Sequence, residues 1–244
     1  MDNNAKQSLV DNFERYFSVE LAETQEQKNL AYGIRYRVYC QEFHYEKPNF
    51  EELEYDEFDE RSKHCLIIHQ DSGLPAGCVR LVPTFNSRKK DPLPFEKHCL
   101  NSLDENFIEQ LALDRQHVCE ISRLAVDAIF RRRPGEHSTR FGEPSSLDFS
   151  RQEQRTFSLI AVACFLAATV LTETTERTSV FAMMEPFLPR LMNRSGIMFQ
   201  RAGQDIDYHG TRAPYFITTQ SALTHMHPDL KELYQWIKTS IIPA

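Results

Sequence analysis

Over 244 residues the chain carries 41% hydrophobic and 26% charged residues, the balance of an ordinary soluble globular protein, and its length allows one large core or two small ones. Lys plus Arg is 28 against 35 for Asp plus Glu, and the net charge of -7 argues against general nucleic-acid binding. No linker rich in Gly, Pro or Ser divides the chain and no internal repeat is visible, so a single domain over residues 1–244 is expected.

The six cysteines (Cys40, Cys65, Cys78, Cys99, Cys119 and Cys164) have no paired metal-ligand spacing and lie mostly in apolar patterns, which predicts buried reduced thiols. The nine histidines form no zinc pattern, and His225-x-His227 beside Pro228 reads as a surface turn, so no metal is expected. Met1-Asp2-Asn3-Asn4 offers neither the basic region nor the apolar core of a secretion signal. The longest apolar run, Leu159 to Leu171, falls short of the ~20 residues a membrane span needs. No transmembrane segment and a cytoplasmic location are the expectations.

After a polar helix-like start, Ser18 to Ala22 reads as a first strand, and a helix from about Thr24 to Phe43 places Leu30, Ile34, Val38 and Tyr39 toward the core. Arg35 and Tyr39, four apart, share a face of it. The acidic stretch Glu51 to Glu60 has no clear period, yet Leu53, Tyr55 and Phe58 give it an apolar side on which to pack. Strands Cys65 to Ile68 and Gly77 to Val82 join through Asp71-Ser72-Gly73, a good hairpin turn, with Arg80 unusually placed in mid-strand. A polar excursion with short helices runs from Phe85 to Gln116.

The next stretch, His117 to Val126, sets a carboxylate (Glu120), a hydroxyl (Ser122) and a guanidinium (Arg123) inside an apolar strand pattern. Strict alternation puts Glu120, Ser122, Leu124 and Val126 on one face and Ile121, Arg123 and Ala125 on the other. A bulge is expected here, since one extra residue re-aims a side chain and parts a strand from its neighbour. Either Glu120 and Arg123 neutralise each other or they face a wet cleft. A loop from Arg131-Arg132-Arg133 to about Ser150 follows, then an apolar helix from Gln152 to Thr174, a buried strand from Thr178 to Met184 and a short helix from Pro186 to Ser195 ended by Gly196. Strands near 197–199 and 215–218 and an amphipathic helix from Pro228 to Ile241 complete an α/β pattern with a mixed central sheet.

In one register, Arg35-x-x-x-Tyr39, Tyr45, Glu54-x-Asp56-x-x-Asp59, Gly77-x-x-Arg80-Leu81-x-Pro83-Thr84 and Glu120-x-Ser122-Arg123 resemble the autoinducer synthases, which make acyl-homoserine lactones. Tyr39 and Tyr45 stand where that family usually has Phe and Trp. The long excursion before Glu120 and the Arg-rich loop after Val126 look closer to the acyltransferases associated with the PEP-CTERM/exosortase system and to N-acyl amino acid synthases. The resemblance implies the α/β fold of the GCN5-related N-acetyltransferases, a mixed central sheet flanked by helices. It also implies a fatty acyl thioester donor on acyl carrier protein or coenzyme A, a small-molecule amine acceptor and no tightly bound cofactor. Arg132-x-x-Gly135 matches part of the pyrophosphate loop of coenzyme A-dependent relatives, but His137 replaces its final small residue, which favours acyl carrier protein.

Acyl transfer to an amine requires a neutral nitrogen, a polarised thioester and a place for the oxyanion. Glu120 is the expected base, with Ser122 and Arg123 beside it in the catalytic motif, and backbone amides at Leu124, Ala125 and Val126 would hold the thioester carbonyl. Arg35, Tyr39, Tyr45, Glu54, Asp56, Asp59 and Arg80 are the expected acceptor-binding set. Within it, Arg80, like Arg123, either grips the acceptor's carboxylate or steadies the acidic triplet, and the triplet either attracts a cation such as S-adenosylmethionine or serves as scaffold. Residues 159–171 with Phe181, Met183 and Met184 either line an acyl slot or are core. Arg131, Arg132, Arg133 and Arg140 suit an acidic carrier protein. The preferred activity is N-acylation of an amino acid or related amine. A lactone-forming synthase using S-adenosylmethionine and a non-catalytic acyl-thioester-binding module are the alternatives.

Overall fold

A computed structural model describes residues 8–85, 91–131 and 150–242. The chain starts with α1 (Leu9–Glu14), set off by a Ser8 capping box, and β1 (Phe17–Leu21). Thr24 caps α2 (Gln25–Arg35), its hydroxyl accepting from the Gln27 N–H. The expected single helix to Phe43 does not hold, because Tyr36–Glu42 widens into a π-helix. Such wide turns are rare and rotate whatever they carry. Here the turn brings the Tyr39 hydroxyl to the Leu124 carbonyl at 2.7 Å and Arg37 Nε to Asp127 at 2.6 Å.

β2 (Lys63–His69) and β3 (Pro75–Pro83) form the expected hairpin, its turn containing Gly73 at φ +67°. The polar excursion carries α3 (Pro94–His98) and α4 (Glu105–Gln110) and returns into β4 (Val118–Val126). The apolar helix is broken at Phe157 into α5 (Arg151–Thr156) and α6 (Ser158–Thr174). Next come β5 (Ser179–Met184) and α7 (Leu188–Asn193). The strand expected at 197–199 begins later, as β6 (Gln200–Arg201). Gly196 lies against the His225 carbonyl at φ +82° and the Ile197 N–H donates back to Met192, so this segment closes a turn before it pairs. β7 (Ile206–Asp207), β8 (Thr211–Thr218), α8 (Thr219–His225) and α9 (Pro228–Ile241) finish the described chain.

The strands run β1-β2-β3-β4-β5-β8-β6, with β7 also on β8; β4 and β5 are parallel and the other pairs antiparallel. α2 and the π-helical turn after it cover one face through Ala31, Ile34 and Val38, while α6 covers the other with α9 and α1 behind it. The helical stretch Glu153–Thr174 is long and apolar enough to cross a membrane by length and composition, which corrects the estimate made from the apolar run alone. Ile160, Ala163, Cys164, Leu166, Ala167, Val170 and Leu171 are buried against the sheet and α9, the place of a core helix. All six cysteines are free and buried, as expected.

Gly77 on β3 is where α6 comes closest. A Cβ there would stand 2.9 Å from Ile160 Cγ2, 3.1 Å from Cys164 Sγ and 3.3 Å from the Ala125 carbonyl oxygen. Gly77→Ala is expected to lower stability by about 1–3 kcal/mol by overpacking this seam. A thermal melt equal to that of the parent protein would mean that α6 is not seated on β3.

Candidate active site

Between Cys78↔Ala125 and Arg80↔Ser122 the β3–β4 ladder advances two residues on β3 and three on β4. The extra residue is taken up at Arg123, whose backbone lies in the left-handed region at φ +53°. This is the expected bulge, and it overturns the alternation that follows it. Glu120, Ser122, Arg123 and Ala125 now share the α2 face, whereas Ile121, Leu124 and Val126 turn toward the α6 core. On the other side of β4, parallel pairing with β5 runs from Val118↔Ser179 to Glu120↔Phe181 and stops. Beyond Glu120 the two strands part.

Beneath the bulge lies a buried ion cluster. Arg35, fully buried, forks onto Asp59 at 2.7 and 2.9 Å and donates from Nε to Glu54. Arg80, also fully buried, donates from Nη1 to Asp56 at 2.7 Å and Asp59 at 3.0 Å, and from Nε to the Ser122 hydroxyl at 3.1 Å. Arg123 closes the cluster onto Glu54 at 3.1 Å and Asp56 at 3.3 Å. Burial alone would raise the Asp59 carboxyl, but the hydrogen bond and charge of Arg35 and the charge of Arg80 outweigh it and hold Asp59 well below the usual range. Glu54 is likewise lowered against its burial by Arg35 and Arg123.

Glu120 is treated differently. Burial pushes its carboxyl up to about 8, opposed by the Phe95 N–H and by the more distant charges of Arg80 and Arg123. Its Oε2 accepts that N–H at 2.8 Å, so Glu120 caps the first turn of α3 from outside, while Glu96 caps the Leu93 N–H at 2.7 Å. Glu120 has no ion-pair partner among the described residues, and it lines a cleft with Tyr39, Tyr45, Glu46, Ser122, Arg123 and Met183. The far wall comes from the β7–β8 hairpin through Tyr208, His209 and Arg212. Tyr45 is stacked on Phe43 at 5.3 Å and lies 5.0 Å from the His209 ring, which gives the cleft an aromatic side. Across the sheet, a second, apolar pocket is lined by Ile121, Phe165, Ala182 and Met184 among others.

Residues 34–139 match the family model described as an acetyltransferase (GNAT) domain. Solved structures match nearly the whole chain. The acyl-homoserine-lactone synthase LasI aligns with a TM-score of 0.58 at 16% identity over 86% of this chain and 94% of that one. The coenzyme A-dependent acyl-homoserine lactone synthase BjaI, solved with SAM and isopentyl-CoA, gives 0.57 at 13% identity over 93% and 91%. FeeM, an N-acyl amino acid synthase from uncultured soil microbes, gives 0.56 at 10% identity over 89% and 96%. The fold is the GNAT fold. The matched domain is of the acyltransferase kind. Comparison with curated protein sequences returns no match.

Within this GNAT fold the expected residues divide. Glu120, Ser122, Arg123, Tyr39, Tyr45 and Met183 meet in the cleft. Arg35, Asp59 and Arg80 do not: each is buried in the ion cluster and lines no part of this cleft, although Arg80 Nη2 has no hydrogen-bond partner among the described residues, and Glu54 and Asp56 are held by the same cluster of arginines. This is the geometry that a scaffold role would need. Phe181 stacks on Phe95 at 4.9 Å as core, Met184 faces the apolar pocket, and the Leu124, Ala125 and Val126 side chains pack inward and line neither cavity. Arg131 is turned back onto Glu42 and the Val126 carbonyl, while Arg132, Gly135, His137 and Arg140, like Arg133, lie outside the described residues.

Sequence reasoning missed Phe95, Glu46, Tyr208, His209 and Arg212. For Phe95 a signal existed: Pro94 with Glu96 three residues after Leu93 marks a helix start, and a helix start needs an acceptor.

Two outcomes follow from opposite electrostatics. Asp59→Ala should cost about 3–5 kcal/mol in urea unfolding at pH 7 by leaving Arg35 and Arg80 uncompensated. Because Asp59 titrates lower folded than unfolded, that loss should shrink as pH falls below the ordinary carboxylate range, and a pH-independent loss would contradict the ion cluster. Glu120→Gln should do the reverse. A folded value near 8 against an ordinary 4.5 means wild-type stability drains as pH rises through that window, so the Gln variant should gain ~2–4 kcal/mol at pH 8 and nothing below pH 4. Parallel melting-temperature profiles for the two proteins would remove the case for a buried, uncompensated Glu120.

Proposed function

We propose that the chain is an N-acyltransferase that moves a fatty acyl group from a thioester to the amine of an amino acid or related small molecule. The observation that carries this is Glu120: a carboxyl raised to about 8, free of ion pairs among the described residues, at the point where β4 and β5 part. A free α-amine has a pKa of about 7.7–8.0, so a base of matching strength can take its proton without being strongly basic itself. The amine nitrogen attacks the thioester carbonyl, the C–S bond breaks, and the proton passes by way of Glu120 to the departing sulfur. In this reading backbone amides near Leu124 and Ala125, at the bulge, stabilise the oxyanion.

The apolar pocket behind Ile121 and Met184 takes the acyl chain, reached through the gap between the strands, and the cleft on the other face takes the acceptor. On this reading the chain is one functional unit. Acyl carrier protein is the preferred donor over coenzyme A, docked by the arginine segment 131–140, and the protein works in the cytoplasm. An association with the PEP-CTERM/exosortase system rests on sequence resemblance. A lactone-forming reaction with S-adenosylmethionine is the second reading, favoured by the aromatic wall of Tyr39 and Tyr45, which suits a sulfonium cation. A purely acyl-binding module is disfavoured because Glu120 is not sealed in a salt bridge.

Glu120→Gln should lower kcat/KM for amine acylation about 10²–10⁴-fold. In the wild type, kcat/KM should rise with pH and level off above about 8, as the acid gives up its proton. Mass spectrometry of the product separates amide from lactone, and full activity of the Gln variant across the pH range would end the proposal.

A further inference from the structure

We infer that Arg212 grips a carboxylate on the acceptor, so that the acceptor is an α-amino carboxylate; this rests on the amine acylation proposed above. Of the arginines at the site, Arg35 and Arg80 have no exposed surface, and Arg123 already faces three carboxylates, donating from Nε to Glu54 and from Nη2 to Asp56, with Glu46 at 3.6 Å. Arg212 remains. It opens β8, lines the cleft that holds Glu120, and lies over the Tyr45 ring at 5.8 Å. Its Nε donates to the Tyr208 carbonyl at 3.0 Å, which fixes the plane of the guanidinium. The nearest carboxylate among the described residues, Glu185, stands at 4.0 Å, beyond hydrogen-bond reach. A planar fork held by one edge and unmatched at the other is suited to a carboxylate.

The hairpin tip supports this role. His209, at φ +54°, and Gly210, at φ +89°, bend the chain so that the His209 ring stacks near Tyr45 and its Nε2 comes 3.5 Å from Glu46. A non-glycine residue held in that region persists where its surroundings impose it. Among the described residues the cleft therefore carries two acids, Glu46 and Glu120, and two arginines, Arg123 held by three carboxylates and Arg212 with only the long Glu185 pair. A zwitterion answers both. A simple amine would leave Arg212 with the long Glu185 pair alone, and a simple carboxylic acid would meet Glu46.

The test measures acyl transfer from octanoyl and hexadecanoyl N-acetylcysteamine thioesters to the twenty common amino acids, to S-adenosylmethionine and to the matching amino-acid amides. Wild type should prefer free acids, and Arg212→Gln should raise KM for them about 10–100-fold with kcat little changed, erasing the preference; Arg212→Lys should restore part of it. Arg201→Gln, on an exposed arginine of β6 paired with Asp205, should leave the preference intact. Equal use of acids and amides by wild type, or a preference that survives Arg212→Gln, would overturn the assignment while leaving amine acylation standing. Should no amine be acylated, the acyl-transfer reading falls, and calorimetric titration of the free acids still decides Arg212: binding to wild type but not to Arg212→Gln upholds it, and equal or absent binding overturns it.

Discussion

One additional residue in β4 governs everything at this site. With a regular ladder, Arg123 would face α6 and the ion cluster would lose its third cation. Placing the surplus at Arg123, in a backbone region unfavourable to a long side chain, turns the guanidinium onto Glu54 and Asp56. The Tyr39 hydroxyl on the Leu124 carbonyl and the Cys78 thiol 3.7 Å from the Arg123 carbonyl occupy the acceptors that the disturbed ladder leaves behind. The π-helix and the bulge are thus two halves of one fit, each irregular where the other requires it.

The same few cubic nanometres contain two opposite answers to burying charge. Glu54 and Asp59 are held below the usual carboxylate range by Arg35, Arg80 and Arg123 at hydrogen-bond distance, and Asp56 is bonded to Arg80 and Arg123. Glu120 has no such partner among the described residues and is pushed toward neutrality. The acidic segment 51–60 thus holds its buried charges by pairing, whereas the carboxyl that burial drives upward stands on β4.

Much of this was legible in the sequence. The hairpin at Gly73, the core helix after Ser158, the buried strand to Met184 and the bulge near Glu120 all follow from period, turn residues and the misfit of polar groups in an apolar run. The faces beyond the bulge were not, since alternation cannot say which residue absorbs the extra step. Nor could spacing distinguish an arginine that contacts a ligand from one that holds an aspartate; for Arg35 and Arg80 only three-dimensional burial decides. Tyr208, His209 and Arg212 were invisible for another reason: β7 is two residues long, too short to carry a pattern.

The bond from the Phe95 N–H to Glu120 has a corollary for side-chain length. Aspartate in its place would keep the carboxyl group but draw it back by one methylene, away from the α3 terminus it closes. The orphaned amide would then sit in an apolar setting beside Phe181, and the short helix bordering the cleft would lose its anchor. Reach, as much as acidity, makes glutamate the residue that fits here.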